Sequence, residues 1–337
     1  MKNLELIIAK AWQSNSPYLT SLAPLSAVYK GVSSVRKSLY QNNILKIYHA
    51  PVPVLVVGNI TVGGSGKTPL IIALVQYLQT KGVSVGVISR GYGGDGSQMP
   101  ALVHTDSTPS QVGDEPCLIV QSTHVPMAVG ANRQSAIELL LQHYQDIQLI
   151  ISDDGLQHYA LHRDAEWIVV DGVRGFGNGK LFPQGFLREP VSRLDGAVVV
   201  YHDRDTNKYA DTALTMHLEP SPLTPLLASV ADVPATTKVY AVTGIGYPAR
   251  FFASLQALGF DVVECAFADH HEFSLADIEP LHDLPIITTS KDAVKLRTLA
   301  KQSNHAIFEN IWVLPVSAVL SKTVHETMDN LLDDLMI

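Results

Sequence analysis

An apolar segment that runs into a glycine-rich turn constrains this chain more than any other feature. Val54–Val57 has the character of a short buried strand, and Gly63-Gly64-Ser65-Gly66-Lys67-Thr68 follows a few residues later. The glycines let backbone N–H groups converge on a hollow, Lys67 adds a mobile positive charge, and the Thr68 hydroxyl suits Mg²⁺. An apolar helical pattern follows at Leu70–Leu78. Strand, loop and helix together predict a phosphate-binding loop.

Two residues of this segment need comment. Thr61 stands where the strict phosphate-loop pattern has glycine, and a glycine-rich turn by itself is usually only a turn. The strand before the loop and the helix after it nevertheless favour phosphate binding. Pro69 is compatible with the helix, because the first helical turn has no N–H partner to lose.

Composition narrows the class of protein. A chain of 337 residues exceeds what one hydrophobic core usually holds, so two domains are expected. The net charge of −8 excludes an overall basic nucleic-acid footprint, and nothing indicates an obligate protein partner or a dimer. The two cysteines, Cys117 and Cys265, are read as buried small hydrophobic residues of a reduced cytoplasmic protein. No run of about twenty apolar residues and no convincing signal peptide is evident.

The N-terminal segment Pro17–Leu39 carries an apolar stripe at helical spacing with basic residues among it. Pro24 is expected to kink this helix or to split it in two. Taken alone, the pattern favours an ordinary helix packed on the domain, and the alternative is a surface that docks on an anionic membrane. The stripe consists of Leu19, Leu22, Leu25, Val28, Val32, Val35 and Leu39, and the basic residues are Lys30, Arg36 and Lys37.

Apolar runs alternate with helical patterns along the rest of the chain, which predicts a mostly parallel α/β sheet flanked by helices, with a second, smaller α/β domain. A proline-rich stretch at 219–234 marks the domain boundary. We therefore expect an amphipathic N-terminal region at 1–45, the phosphate-loop domain at 46–225, the smaller domain at 226–320 and a C-terminal helix at 321–337. Strands of the first domain are expected at Val54–Val57, Val83–Ile88, Val125–Val129, Leu149–Ser152, Trp167–Val170 and Ala197–Tyr201.

Carboxylates occur at two places where they would serve a phosphate site. Asp153-Asp154 ends an apolar strand, the position of the acid that holds Mg²⁺ or its water in phosphate-loop enzymes, although such a pair before glycine can also be a plain turn. Gly113-Asp114-Glu115-Pro116 places two acids at a predicted helix start, where capping and catalysis are compatible. The Ser89–Gly94 loop either wraps a phosphorylated substrate or is a mobile surface loop.

Two further motifs carry charged groups. Arg188 could stabilise transferring phosphate charge and Glu189 could orient it, although taken alone a solvated ion pair is the better interpretation. In Asp269-His270-His271 the adjacent histidines do not favour a metal pair. One histidine that partners a carboxylate as base or orienting group is more consistent with the pattern.

These motifs occur together and in one order along the chain. With Leu187-Arg-Glu-Pro190, Asp269-His-His and Thr288-Thr-Ser-Lys-Asp-Ala-Val-Lys295 they resemble the tetraacyldisaccharide 4'-kinase family of the lipid A pathway of Gram-negative bacteria. The resemblance runs over nearly the whole chain and includes Thr61 in the loop. Ser290 departs from it, because an acid is expected before Lys-Asp-Ala.

The resemblance implies ATP- and Mg²⁺-dependent phosphorylation of the 4'-hydroxyl of a tetraacylated glucosamine disaccharide 1-phosphate. It also implies peripheral attachment to the cytoplasmic face of the inner membrane through the N-terminal helix, which favours the membrane interpretation of that helix.

By the same resemblance, Asp114 is the general base with His271, chosen over His270, as its support, and Lys67 and Arg188 complete the catalytic set. Glu189 would line the nucleotide region with the loop. ATP would contact Thr61, Val62, Gly63, Gly64, Ser65, Gly66, Lys67, Thr68 and Glu189, and Mg²⁺ would contact Thr68, Glu115, Asp153 and Asp154.

Two rival functions remain open on the residues. A phosphate-loop GTPase or metallochaperone would need an Asn-Lys-x-Asp motif or a His/Cys cluster near the loop, and Ser290-Lys-Asp-Ala does not match the former. A soluble small-molecule kinase or ATP-dependent ligase would not need an exposed apolar N-terminal helix.

Overall fold

The computed structural model describes residues 8, 11–14, 16–203, 213–227, 234 and 236–337. They form two sheets, one of nine strands in the order β14-β8-β7-β6-β1-β5-β2-β4-β3 and one of five in the order β11-β10-β12-β13-β9. The large sheet contains β1 Val54–Gly58, β2 Val85–Ser89, β3 Ala101–Leu102, β4 Met127–Val129, β5 Leu149–Asp153, β6 Ala165–Asp171, β7 Val198–His202, β8 Thr215–Pro220 and β14 Val316–Leu320. The small sheet contains β9 Thr224–Pro225, β10 Lys238–Thr243, β11 Asp261–Ala266, β12 Ile286–Thr289 and β13 Ile311–Leu314.

Strand pairing is parallel within both sheets except at their edges. In the large sheet β3 pairs antiparallel with β4, and β14 pairs antiparallel with β8. In the small sheet β9 pairs antiparallel with β13. The α helices are α1 Ala23–Gln41, α2 Lys67–Thr80, α3 Pro109–Val112, α4 Asp114–Thr123, α5 Arg133–His143, α6 Pro248–Ala257, α7 Leu275–Ile278, α8 Ser290–Ser303 and α9 Lys322–Leu335. The α/β class and the two-sheet architecture agree with the expectation from the sequence.

The central strand β1 shows why the sheet is covered on both faces. All five of its residues are buried, and alternate side chains enter different cores. Leu55 and Val57 pack with residues of α2, whereas Val54 and Val56 pack with residues of α5. A strand buried on both faces reads as a continuous apolar run, as this one does.

The chain crosses between the two sheets at places that differ from the expected boundaries. β14, expected in the smaller domain, pairs with β8 of the large sheet. β9, on the large-domain side of the expected boundary, pairs with β13 of the small sheet. Helix α9 then packs Val324, Met328 and Leu332 into the same core as α2, so the C-terminal helix belongs to the large domain. These pairings are non-local, and strands β3, β8, β9 and β14 were not expected.

The N-terminal stripe is split at its proline. A 3₁₀ helix covers Pro17–Leu22, and α1 begins at Ala23 with Pro24 in its first turn, as the sequence indicates. Polar residues attach α1 to the large domain: Ser26 Oγ donates to Leu181 O at 3.0 Å, and Tyr29 Oη donates to Arg188 O at 3.0 Å. None of the described helices is long and apolar enough to cross a membrane.

Candidate active site

The glycine-rich loop leaves the carboxyl end of β1 and leads into α2 at Lys67. Gly63 and Gly66 adopt φ values of 89° and 95°, a region that favours glycine. The buried Asn59 holds the loop from inside, because its Nδ2 donates to Ser65 Oγ at 2.9 Å and to Gly63 O at 3.3 Å. Asn59 was not among the predicted site residues, although it lies between the strand and the loop. Hydrogen bonds from Asn59 therefore stabilise the shape of the glycine-rich loop.

Asp153 ends β5, the strand beside β1, and lies almost fully buried. Ser89 Oγ donates to its Oδ2 at 3.3 Å, while Oδ1 has no hydrogen-bond partner among the described residues. Burial, with the nearby charge of Glu115, raises the pKa of Asp153 to about 7, although Lys67 opposes this. A buried carboxylate oxygen without a partner is suited to a cation.

Asp154 turns out of the strand with a left-handed φ of 47°. Its two oxygens accept from Arg188 at 2.9 and 2.8 Å, and Lys67 Nζ lies 3.6 Å from Oδ1. Burial alone would raise the pKa of Asp154, but Lys67 and Arg188 outweigh it and hold the pKa well below its usual range. The structure thus brings the loop lysine, the strand-end acid and the arginine together, as the motifs predict.

Arg188 also contacts the glycine-rich loop, since its Nε donates to Thr61 O at 3.1 Å. The neighbouring Glu189 is occupied elsewhere. Its Oε1 accepts from Gln157 at 2.6 Å, and its Oε2 lies 3.3 Å from Arg193 Nε. Glu189 therefore lies in a buried polar network beside the loop. Among the described residues, its two carboxylate oxygens contact Gln157 and Arg193 and not the glycine-rich loop.

The Asp269-His270-His271 segment of the small domain reaches Asp114, the first residue of α4. His270 Nδ1 lies 3.2 and 3.1 Å from the two Asp114 oxygens. The prediction that His271 supports Asp114 is wrong. The histidine that contacts Asp114 is His270, and His271 Nε2 lies 3.1 Å from Asp277 Oδ2 instead. The backbone explains why His270 and not His271 contacts Asp114. His270 has a left-handed φ of 58°, so its side chain leaves the chain in a different direction from that of His271.

Two lysines of α8 surround the same carboxylate. Lys295 Nζ lies 3.0 Å from Asp114 Oδ2, and Lys291 Nζ lies 3.9 Å from the same oxygen and 3.1 Å from Glu115 Oε1. Burial would raise the pKa of Asp114, but the hydrogen bond from His270 and the two lysines lower it well below its usual range. Burial would lower the pKa of His270, but the hydrogen bond to Asp114 raises it. Both lysines belong to the Thr288–Lys295 motif, which by itself does not assign them to a site.

The glycine-rich loop of the large domain and the Asp269-His270-His271 segment of the small domain come together at Gly246. A Cβ built on Gly246 would lie 3.0 Å from Gly64 N and 2.9 Å from Asp269 Oδ2. A turn of the small domain therefore lies directly against the glycine-rich loop, beside the segment that carries His270. Tyr92 of the Ser89–Gly94 loop completes the contact, with its ring centroid 5.2 Å from that of His270.

Comparison with known proteins identifies the family. The family model described as "LpxK: Tetraacyldisaccharide-1-P 4'-kinase" matches residues 18–333. A tetraacyldisaccharide 4'-kinase of Psychrobacter cryohalolentis is 53% identical over 364 aligned residues, covering 99% of this chain and 98% of that protein. One of Actinobacillus pleuropneumoniae is 48% identical over 317, covering 92% and 94%.

A solved structure agrees in fold as well. It is the crystal structure titled "apo" form LpxK from Aquifex aeolicus in complex with ATP, which is 27% identical with a TM-score of 0.73 and matches 95% of this chain and all of that one. The matches span both domains, which excludes the GTPase, metallochaperone and ligase alternatives. This chain therefore belongs to the tetraacyldisaccharide-1-P 4'-kinase family, the phosphotransferases that act on the 4'-position of a tetraacylated disaccharide 1-phosphate in lipid A biosynthesis.

Proposed function

We propose that the glycine-rich loop holds the phosphates of ATP and that the 4'-hydroxyl of the lipid acceptor enters between the loop and Asp114. The loop geometry supports the donor half, because Lys67 stands at the start of α2 with its ammonium near Asp154. The Aquifex aeolicus relative is described as a complex with ATP. The single observation that carries the acceptor half is the Asp114–His270 pair at the contact between the domains.

The described residues fit a magnesium ion, although no group of three or more described His, Cys, Asp or Glu side chains is close enough to hold a metal alone. Mg²⁺ in kinases typically uses one or two carboxylates with water and substrate phosphates. Asp153 offers an unpartnered buried oxygen, and Thr68 and Glu115 are the further ligands we propose, with Asp154 beside them. Mg²⁺ would neutralise charge on the phosphates.

The chemistry assigned to the protein's own groups is proton removal and charge stabilisation. His270, Lys291 and Lys295 keep Asp114 ionised, so it can accept a hydrogen bond from the 4'-hydroxyl. As that oxygen bonds to the γ-phosphorus and the bond to the β-phosphate oxygen breaks, Asp114 takes the hydroxyl proton. Lys67 and Arg188 meet the negative charge that develops on the phosphates.

The direct test is incubation with ATP, Mg²⁺ and the disaccharide 1-phosphate lipid, followed by mass spectrometry of the lipid. A gain of one phosphoryl group, lost when the 4'-hydroxyl is replaced by hydrogen, is the expected result. An acceptor mass that does not change would overturn the proposal.

The two histidines provide a matched pair for the base assignment. We expect His270→Ala to reduce kcat roughly 10²-fold, because it removes the group that positions Asp114, within the range of acid–base contributions. His271→Ala removes a contact to Asp277 instead and should leave kcat close to wild type. Steady-state kinetics on both variants checks this, and equal losses for the two would contradict the assignment.

We also propose that α1 attaches the protein to the cytoplasmic face of the inner membrane. The polar residues Ser26 and Tyr29 face the large domain, whereas the part of the apolar stripe between Leu25 and Val35 faces away from it. Large apolar side chains that stay this exposed on one helix face, with basic residues among them, suit an anionic lipid surface. The exposed residues are Leu25 at 58%, Val28 at 63%, Val32 at 65% and Val35 at 60%.

Replacing those four residues by serine should strongly reduce binding to vesicles that contain phosphatidylglycerol. Full burial of one valine or leucine side chain gains ~1.5–3 kcal/mol, so even partial insertion of four is a large loss. Co-sedimentation with vesicles measures the bound fraction. The matched control replaces the exposed strand residues Val316 and Val319 by serine and should bind like wild type. Equal partitioning of all three proteins would contradict the membrane role.

A further inference from the structure

One arginine of the small domain joins the ends of two strands of the large sheet. Arg250, in α6, places an Nη2 3.0 Å from Asp171 Oδ2 and its Nε 2.8 Å from Asp203 Oδ2. Asp171 ends β6, and Asp203 directly follows β7, its parallel neighbour in the sheet. A planar guanidinium is suited to holding two carboxylates at a fixed separation.

The first carboxylate leads to one side of the glycine-rich loop. Asp171 Oδ1 accepts from the backbone N–H groups of Val173 and Arg174, each at 3.0 Å. Arg174 then donates to Gly64 O at 2.9 Å and Val62 O at 3.4 Å. Asp171 thus fixes the turn from which Arg174 reaches the loop.

Aromatic rings support Arg174 from both domains. Its guanidinium lies 5.2 Å from the ring centre of Phe186 in the large domain and 5.9 Å from that of Tyr247 in the small domain. Tyr247 precedes α6, and its ring also lies 5.4 Å from the guanidinium of Arg250. The small domain therefore contacts Arg174 directly through Tyr247. It also acts on Arg174 indirectly, because Arg250 holds Asp171.

The second carboxylate leads to the other side of the loop. Asp203 Oδ2 lies 3.2 Å from Nε2 of the buried His202, a close contact without a hydrogen bond, and Nδ1 of the same ring lies 3.2 Å from Ser65 O. The ring of His202 fills the space beside Gly66, where a Cβ would lie 2.5 Å from Nδ1. Gly66 is thus needed for close approach as well as for its positive φ.

We propose that Arg250 is a positioning residue that couples the seating of the small domain to the shape of the phosphate-binding loop. Its two carboxylate partners lead to the carbonyl oxygens of Val62, Gly64 and Ser65. Because each peptide is planar, fixing a carbonyl oxygen on the outer side fixes the direction of the adjoining N–H group. The inference rests on the proposed binding of ATP phosphates by those N–H groups, and linkage requires that ATP in turn favours the seated domain.

The test measures ATP binding by isothermal titration calorimetry in the full-length protein. Arg250→Gln should weaken ATP binding about tenfold, within the roughly 5- to 150-fold range of site-to-site couplings. Arg250→Lys should recover only part of the loss, because an ammonium lacks the guanidinium fork. The matched control is Arg297→Gln in α8, whose Nε donates to Leu226 O within the small domain, and it should bind ATP like wild type. Thermal unfolding without ATP verifies that each variant is folded.

A double-mutant cycle separates coupling from a general loss of structure. Because Asp171 links Arg250 to Arg174, the double variant of Arg250→Gln and Arg174→Gln should bind ATP much more tightly than the product of the two single effects implies. If the effects of the two substitutions on ATP affinity simply multiply, or if Arg250→Gln leaves ATP affinity unchanged, this inference is overturned. The proposed function would still stand. A wild-type protein that binds no ATP would overturn the proposed function and this inference with it.

Discussion

Asp114→Asn is expected to reduce kcat about 10³-fold while ATP still binds, because a positioned general base contributes roughly 10²–10⁴-fold. The amide is nearly isosteric with the carboxylate but cannot take the proton of the 4'-hydroxyl. Asp114 lies on the His270 side of the site, so the contacts of the glycine-rich loop remain. Initial rates of phosphoryl transfer give kcat, and calorimetry gives ATP affinity for the same variant.

Asp277→Asn is the matched control for this variant. Asp277 also contacts a histidine of the same motif, since its Oδ2 lies 3.1 Å from His271 Nε2. The two variants therefore remove equivalent charges from neighbouring histidines, and only one of them faces the proposed acceptor. Turnover of Asp114→Asn that stays near wild type, or equal losses in both variants, would remove Asp114 from the base role.

The donor half of the site could be predicted because its residues are consecutive or end neighbouring strands. The Gly63–Thr68 loop is local, and its backbone geometry follows from glycine and from the helix start at Lys67. Asp153 and Asp154 lie next to it because β5 pairs with β1, and carboxyl ends of parallel strands meet at one edge.

The acceptor half could be predicted only in part. The sequence indicated that one histidine joins a carboxylate, but residues 270 and 271 are adjacent and have the same side chain. The choice depends on the positive φ of His270 and on the docking of the small domain against α4, which no local pattern encodes. Tertiary contact therefore decided what residue type could not.

Long-range pairings explain the remaining differences. β14 returns to the large sheet by pairing with β8. Because its hydrogen bonds go to a distant segment, hydrophobic pattern alone assigned it to the preceding domain. Asp171 and Asp203 were not identified as functional candidates, although both stand at carboxyl ends of parallel strands. Their position at strand ends could have identified them as candidates from the sequence. The sequence around Arg250 does not indicate its role, because that role depends on the packing of the two domains.

Lys67→Met is expected to reduce kcat about 10³-fold, the upper end for losing one donor that stabilises transition-state charge. The Lys67 side chain is largely buried, and its Nζ lies 3.6 Å from Asp154 Oδ1, so its charge acts with little solvent screening. Methionine keeps the apolar stem but removes the charge. The pKa of Asp154 should also rise, since Lys67 is the chief cation that opposes the effect of burial on it. Phosphoryl-transfer kinetics at saturating ATP and lipid measure the loss.

Lys81→Met separates the position of the charge from its mere presence. Lys81 directly follows the same helix, α2, and its Nζ lies 3.0 Å from Asp329 Oδ2 at the protein surface. An exposed pair of this kind contributes little to stability and lies at the other end of α2 from the glycine-rich loop, so kcat should stay at the wild-type value. Similar turnover in the two methionine variants would mean that Lys67 does not act on the transferring phosphate. A loss confined to Lys67→Met would place the reacting phosphate at the start of α2, where the helix N-terminus adds its own positive potential.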